Sequence, residues 1–133
     1  MINLLDDTER FMRMARQLDA VGFPKDYANE LRTLRRKLLA EEYVETGVAE
    51  GENNLVEITD GLLDVIVIAW GTLLSYLGPD AAKAAAMEVQ RSNLEKVIGE
   101  GLPLFREDGK VIKPAGWRGP DIAGVLKEFG ITK

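Results

Sequence analysis

Glu41, Glu42 and Glu45, read with Asp60 and Asp64, are the residues of this chain best placed by type and spacing to do chemistry. Tyr27, Leu31, Leu34 and Leu38 recur at helical spacing and mark one apolar stripe. Carried on at about 100° per residue, that stripe runs into Glu42 and Glu45, with Glu41 at its edge. The next segment repeats the anomaly. Leu62 to Leu74 is apolar nearly all round and reads as a fully buried helix, yet Asp64 interrupts it. Glu57, Asp60 and Asp64 share one face of that helix at i, i+3 and i+7. Two core helices are therefore expected to turn carboxylates inward. Buried carboxylates need a compensating cation.

The sequence contains no histidine and no cysteine. That excludes zinc sites of the usual kind, Glu-x-x-His di-iron bundles, and Ser–His or Cys–His nucleophile pairs. Oxygen ligands remain, and they suit magnesium, manganese or calcium. Glu42, Glu45, Asp60 and Asp64 on two facing helices are expected to hold one or two magnesium (or manganese) ions. Magnesium keeps several waters and is usually completed by substrate phosphates. Four acids over-neutralise one ion, so a second ion or a water-activating carboxylate fits the count. Lys96, Lys110 and Lys113 are then expected to steady a polyphosphate.

The elements that must position these groups are legible from pattern and punctuation. The chain's 133 residues suit one compact domain over 1–133, and a hydrophobic fraction of 46% is that of a folded protein. A net charge of -5 without a basic stripe argues against a nucleic-acid partner. No signal peptide is visible. The apolar run to Leu77 is short for a bilayer span and carries Asp64, so no membrane partner is expected and the cytoplasm is the expected compartment.

A first helix capped by Asp6 or Asp7, with Phe11, Met14, Ala15 and Leu18 inward, should stop near Gly22-Phe23-Pro24. Asp26 should cap a second helix running to about Gly51, whose outer face carries Arg32, Arg35, Arg36 and Lys37. A short turn leads to a third helix, about Leu55 to Leu77. Gly61 within it implies either close helix packing or room for a ligand, and Gly71 implies packing. A fourth helix should run from Asp80 to about Ile98. From Gly99 to Pro120 the chain holds five glycines and three prolines. A small hairpin is expected there around Asp108-Gly109, before a last short helix opened by Asp121. Since a single small bundle cannot cover every face of the third helix, a homodimer is expected.

Glu41-Glu42-x-x-Glu45 followed by a helix bearing Asp64, with Asn93-x-x-Lys96 at the end of the fourth helix, resembles the MazG-like all-α nucleoside triphosphate pyrophosphohydrolases. Asp108-Gly109-Lys110, Lys113-Pro114, Gly116-Trp117 and Pro120-Asp121-Ile122 resemble the smaller phosphoribosyl-ATP pyrophosphohydrolase-like branch, some members of which act on dUTP. The likeness spans about Leu31 to Leu126. It implies an all-α four-helix bundle with an irregular C-terminal tail and a short final helix, assembled as a homodimer or a dimer of dimers. It also implies cleavage of the α–β phosphate bond of a nucleoside triphosphate to the monophosphate and pyrophosphate. Glu41, Glu42 and Glu45 would then be catalytic, and Asn93, Lys96, Lys110, Lys113 and Trp117 would bind substrate. Trp117 and Phe105 are suited equally to stacking on a base and to forming a small satellite core. One position departs from the pattern. Aligning the second motif, Glu-x-x-Asp, on Asp64 puts Gly61 where its Glu belongs. Either Asp60 substitutes from one residue earlier, the preferred reading, or Glu57-x-x-Asp60 is the motif. Phosphoribosyl-ATP pyrophosphatase of histidine biosynthesis is the enzymatic alternative, and a non-enzymatic helical assembly protein is the other.

Overall fold

The structure is a computed structural model and describes residues 3–133. Among those residues it holds five helices and no strand: α1 Leu4–Met14, α2 Glu30–Gly51, α3 Leu55–Leu77, α4 Pro79–Leu94 and α5 Ile122–Glu128. The fold is all-α, as the patterning indicated. By its contacts the chain divides into two compact units, Met1–Pro79 and Asp80–Lys133.

In the first unit the caps are asparagines where aspartates were expected. Asn3 accepts from the backbone N–H groups of Leu5 and Asp6, so Asp6 and Asp7 fall in the first turn of α1, where their charge suits its positive end. The helix stops at Met14, well before Gly22, because Arg16 takes the left-handed conformation (φ 61°). Its buried face is Thr8 and Met12 (i, i+4), whereas Phe11 and Met14 are 64% and 76% exposed. Asn29 caps α2 through Leu31 N–H. Asp26, the expected cap, closes a local turn by accepting from Ala28 N–H at 2.9 Å. Asn54 caps α3 and accepts from Glu57 N–H. A short turn with Asn53 at φ 54° joins α2 to α3 as an antiparallel helical hairpin.

Two glycines set how closely α3 is approached. A methyl group at Gly61 would lie 2.2 Å from Thr46 Oγ1 and 3.3 Å from Thr46 Cβ; one at Gly71 would lie 2.9 Å from Met12 Sδ and 3.2 Å from Arg35 Nη1. Both glycines are buried. Close packing, not space for a ligand, accounts for Gly61. The same contacts fix the face of α2 that meets α3: it includes Arg35, Thr46 and Ala49, so Arg35 is half-buried and not on an outer face.

The expected stripe is corrected accordingly. Leu31 and Leu38 are half-buried, but Tyr27 is 63% and Leu34 51% exposed. The expectation that α3 is buried all round is also corrected. It buries Gly61, Trp70, Gly71, Leu74 and Ser75, while Leu62, Leu63, Ile66 and Leu73 are exposed. Helices α1 and α2 each cover one strip of α3, and its other apolar side chains exceed what those strips can hide.

In the second unit, α4 ends at Leu94, four residues before the expected Ile98. The expected hairpin is present in reduced form. A single antiparallel bridge joins Phe105 and Val111, flanked by Ile112 N–H to Leu104 O at 2.8 Å and Arg106 N–H to Lys110 O at 2.7 Å, with Gly109 at φ 86° in the turn. Asp121 caps α5 by accepting from Gly124 N–H.

Candidate active site

The two hairpin contacts place the acids. Thr46 faces Gly61 and Arg35 faces Gly71. Glu42, between the first of each pair on α2, therefore falls opposite Asp64, between the second of each pair on α3. Both are half-buried, whereas Glu41, Glu45 and Asp60 are exposed, so the carboxylates line the rim of the α2–α3 seam more than its interior. The surrounding charges nevertheless act on Glu42. Glu42's carboxyl is pushed above the usual carboxylate range, first by partial burial and then by the charges of Asp64, Glu45, Asp60 and Glu41. Asp60 is among those charges and Glu57 is not.

Among the described residues no three acids are drawn together closely enough to grip a metal ion. The donor set still fits a hard divalent cation: five carboxylates, all oxygen, in a chain with no nitrogen or sulfur ligand of the usual kind. Glu42, Glu45, Asp60 and Asp64 are the residues that would hold it.

On the other flank of α2, Tyr43 and Val65 border an open groove of about 930 Å³ with Tyr27, Arg36 and Ala40. None of the five acids lines this groove.

The second unit gathers the other candidates. Lys96 Nζ donates to Asn93 Oδ1 at 3.0 Å and stands 4.9 Å from the centre of the Trp117 ring, and Lys113 Nζ stands 5.1 Å from the same ring. Trp117 Nε1–H donates to Ser92 O at 2.6 Å. Lys110 and Lys113 line a small basin on the hairpin with Arg106. Phe105 is 61% exposed.

A family model described as Phosphoribosyl-ATP pyrophosphohydrolase matches residues 9–93. The chain belongs to that family. Within the MazG-like all-α superfamily, its members hydrolyse phosphoanhydride bonds, and this chain is a hydrolase of that class. No curated protein matches the chain. The matched stretch holds Glu41, Glu42, Glu45, Asp60, Asp64 and Asn93, while Lys96, Lys110, Lys113 and Trp117 lie beyond it.

Arg91 lies in the second half of α4 with Asn93, and it is joined there by Glu88 and Ser92, which sequence reasoning passed over, although the i, i+3 spacing of Glu88 and Arg91 is that of a helical ion pair. They strap the tail to α4. Glu88 accepts from Arg91 and from Asp121 N–H, Arg91 reaches Gly119 O, and Ser92 O receives Trp117. Bonds from Arg91 and then from Asp121 hold the Glu88 carboxyl down at about 2, against an ordinary 4.5. A depressed folded value means that Glu88 stabilises the strap fully above about 4.5 and ceases to do so as pH falls through about 2. An acid titration followed by tryptophan fluorescence should therefore show a change in that window that Glu88→Gln removes. Identical acid profiles for the two proteins would contradict it.

Proposed function

We propose that the protein is a divalent-metal-dependent nucleoside triphosphate pyrophosphohydrolase, cleaving the α–β bond of a (d)NTP, dUTP among them, to the monophosphate and pyrophosphate. The observation that carries the reading is the charge of Glu41, Glu45, Asp60 and Asp64 acting on Glu42 at the α2–α3 seam, where Glu42 falls opposite Asp64. When bound, magnesium or manganese would supply positive charge against the phosphate oxygens. Glu42, Glu45, Asp60 and Asp64 would hold the ion, one carboxylate among the α2 acids Glu41, Glu42 and Glu45 takes the proton of the attacking water, and Asn93, Lys96, Lys110, Lys113 and Trp117 bind substrate. Water adds at the α-phosphorus, the anhydride bond breaks, and pyrophosphate leaves with the bonding pair.

A second reading has its own support, since the matching family model is described as Phosphoribosyl-ATP pyrophosphohydrolase. Phosphoribosyl-ATP and the nucleoside triphosphates share the bond to be broken. Pyrophosphate release measured over all nucleoside triphosphates and phosphoribosyl-ATP, with magnesium or with excess EDTA, separates the readings. Activity on a nucleoside triphosphate that EDTA abolishes is the expected result; full activity in EDTA would exclude the metal, and activity on phosphoribosyl-ATP alone would favour the second reading.

The four-helix bundle and the homodimer, or dimer of dimers, belong to the same proposal, as does a cytoplasmic location. Leu62, Leu63, Ile66 and Leu73 give α3 a continuous exposed apolar face. This helix is also long and apolar enough to cross a membrane. Asp60 and Asp64 within it favour a protein partner, since acids inside a bilayer are costly. Sedimentation should show at least a dimer at micromolar concentration; a stable monomer would remove this part of the proposal.

A further inference from the structure

We propose that Glu88 is a positioning residue for substrate binding, setting through Arg91 and Gly119 the place of the Trp117 ring on which Lys96 and Lys113 meet. The inference rests on the proposed function, in which Trp117 and the two lysines bind substrate, and extends it to a residue that acts only through others. Two lysines on one indole are no better placed than the ring itself. Their ammonium nitrogens stand 4.9 and 5.1 Å from its centre. Between α4 and α5 the described chain forms neither helix nor strand. Its order comes from the Phe105–Val111 bridge and from turns such as the one that Trp117 N–H closes on Pro114 O at 3.0 Å. Where the ring comes to rest therefore depends on what this segment meets on α4.

The ring is held at both ends. Its Nε1–H donates to Ser92 O at 2.6 Å. Its far edge lies beside Gly119, where a methyl group would stand 3.6 Å from Cη2 and 3.7 Å from Cζ3, in ordinary van der Waals contact. Gly119 is fixed in turn by Arg91, whose Nη2 donates to its carbonyl at 3.3 Å. Glu88 aims that guanidinium, accepting from Nε at 3.0 Å and from Nη2 at 2.7 Å in a two-pronged grip. The same Glu88 Oε1 accepts from Asp121 N–H at 2.9 Å. One carboxylate thus pins the backbone on both sides of Pro120. Without it, Arg91 keeps Glu95, 2.8 Å from Nη1, and is free to turn toward that partner. Gly119 and Asp121 then lose their anchors together, and of the two holds on the ring only Ser92 O remains.

The test is steady-state kinetics of the full chain with magnesium, on whichever of the nucleoside triphosphates and phosphoribosyl-ATP it turns over fastest. Groups that hold the substrate equally in the ground and transition states act on KM and not on kcat. Glu88→Ala should therefore raise KM about tenfold, the scale of one charge-assisted bond, while kcat changes less than about twofold. A residue that merely steadies the tail would lower the melting temperature and leave KM untouched well below it. In a Trp117→Ala background the same change should add little to KM, because the route through the ring is already cut. Glu88→Gln, which keeps the shape and loses the charge, serves if the alanine variant does not fold. Unaltered KM in a folded Glu88 variant, or a KM effect undiminished without Trp117, overturns the inference. Acrylamide quenching gives a second reading without substrate. Of the two tryptophans Trp70 is only 7% exposed, so the added quenching expected in the Glu88 variant reports Trp117; quenching equal to that of the unaltered protein also overturns the inference. A protein that releases no pyrophosphate from any of these substrates loses the proposed function, and quenching alone then decides whether Glu88 places the ring.

Discussion

Asp64→Asn should lower turnover by about a hundredfold or more, the scale on which well-placed electrostatic groups act, while leaving the fold intact. Asp64 lies opposite Glu42 across the seam and heads the charges that act on it. Asparagine keeps the shape and removes the charge. Because the change also removes one of several mutually repelling carboxylates, the protein without metal should be no less stable. Asp60→Asn should behave similarly, since Asp60 acts on Glu42 as well, whereas Glu57→Gln should cost little. Steady-state kinetics with thermal unfolding as the control decides the matter. Near-normal turnover in Asp64→Asn would remove the site from α3, and a dead Glu57→Gln beside a normal Asp60→Asn would move it one turn toward the helix start.

Gly61→Ala is expected to destabilise the protein by about 1–3 kcal/mol, the usual cost of overfilling a packed seam. The new methyl would stand 2.2 Å from Thr46 Oγ1, and that hydroxyl is held by its bond to Glu42 O at 2.7 Å. Threonine in a helix has few rotamers to retreat to. Thr46→Ala should therefore recover part of the loss in the double variant, because the nearest remaining atom, Thr46 Cβ, lies at 3.3 Å. Urea midpoints for the four proteins test it; additive effects would show that the clash is not the cause. Gly61→Glu, which would restore the family's Glu-x-x-Asp spacing, meets the same obstacle with a longer side chain. The missing glutamate is thus explained by how closely α2 passes.

Much of this was legible in the sequence for stated reasons. Leu55–Leu77 came out with its observed bounds because asparagine and Gly-Pro punctuate both ends of a long apolar run. The acids stand out because they fall on apolar helical patterns, and the structure keeps Glu42 and Asp64 on facing positions. The faces themselves were read less well. Phe11, Met14, Tyr27 and Leu34 are apolar at helical spacing yet exposed, since periodicity shows that a stripe wants cover but not whether one chain supplies it. Arg35 was misplaced on the outer face for a related reason: a long side chain can bring its guanidinium in against Met12 and the bare backbone of Gly71. The meeting of Lys96 with Lys113 on Trp117 depends on the path of an irregular tail, which no period encodes.

The short turn between α2 and α3 also bears on the order of events when the chain first folds. All five acids lie on two helices joined through Glu52, Asn53 and Asn54, so their meeting requires only the closure of a small loop. Closing such a loop takes on the order of 10–100 ns, and topologies rich in local contacts fold fast. The acidic seam is accordingly expected to be among the earliest tertiary features, assembled before the longer excursion that brings Trp117 back to Ser92. Mutual repulsion among those carboxylates would then be felt in the folding transition state. Neutralising Asp60 should quicken folding and leave the unfolding rate nearly unchanged, a signature readable from the two arms of a chevron plot.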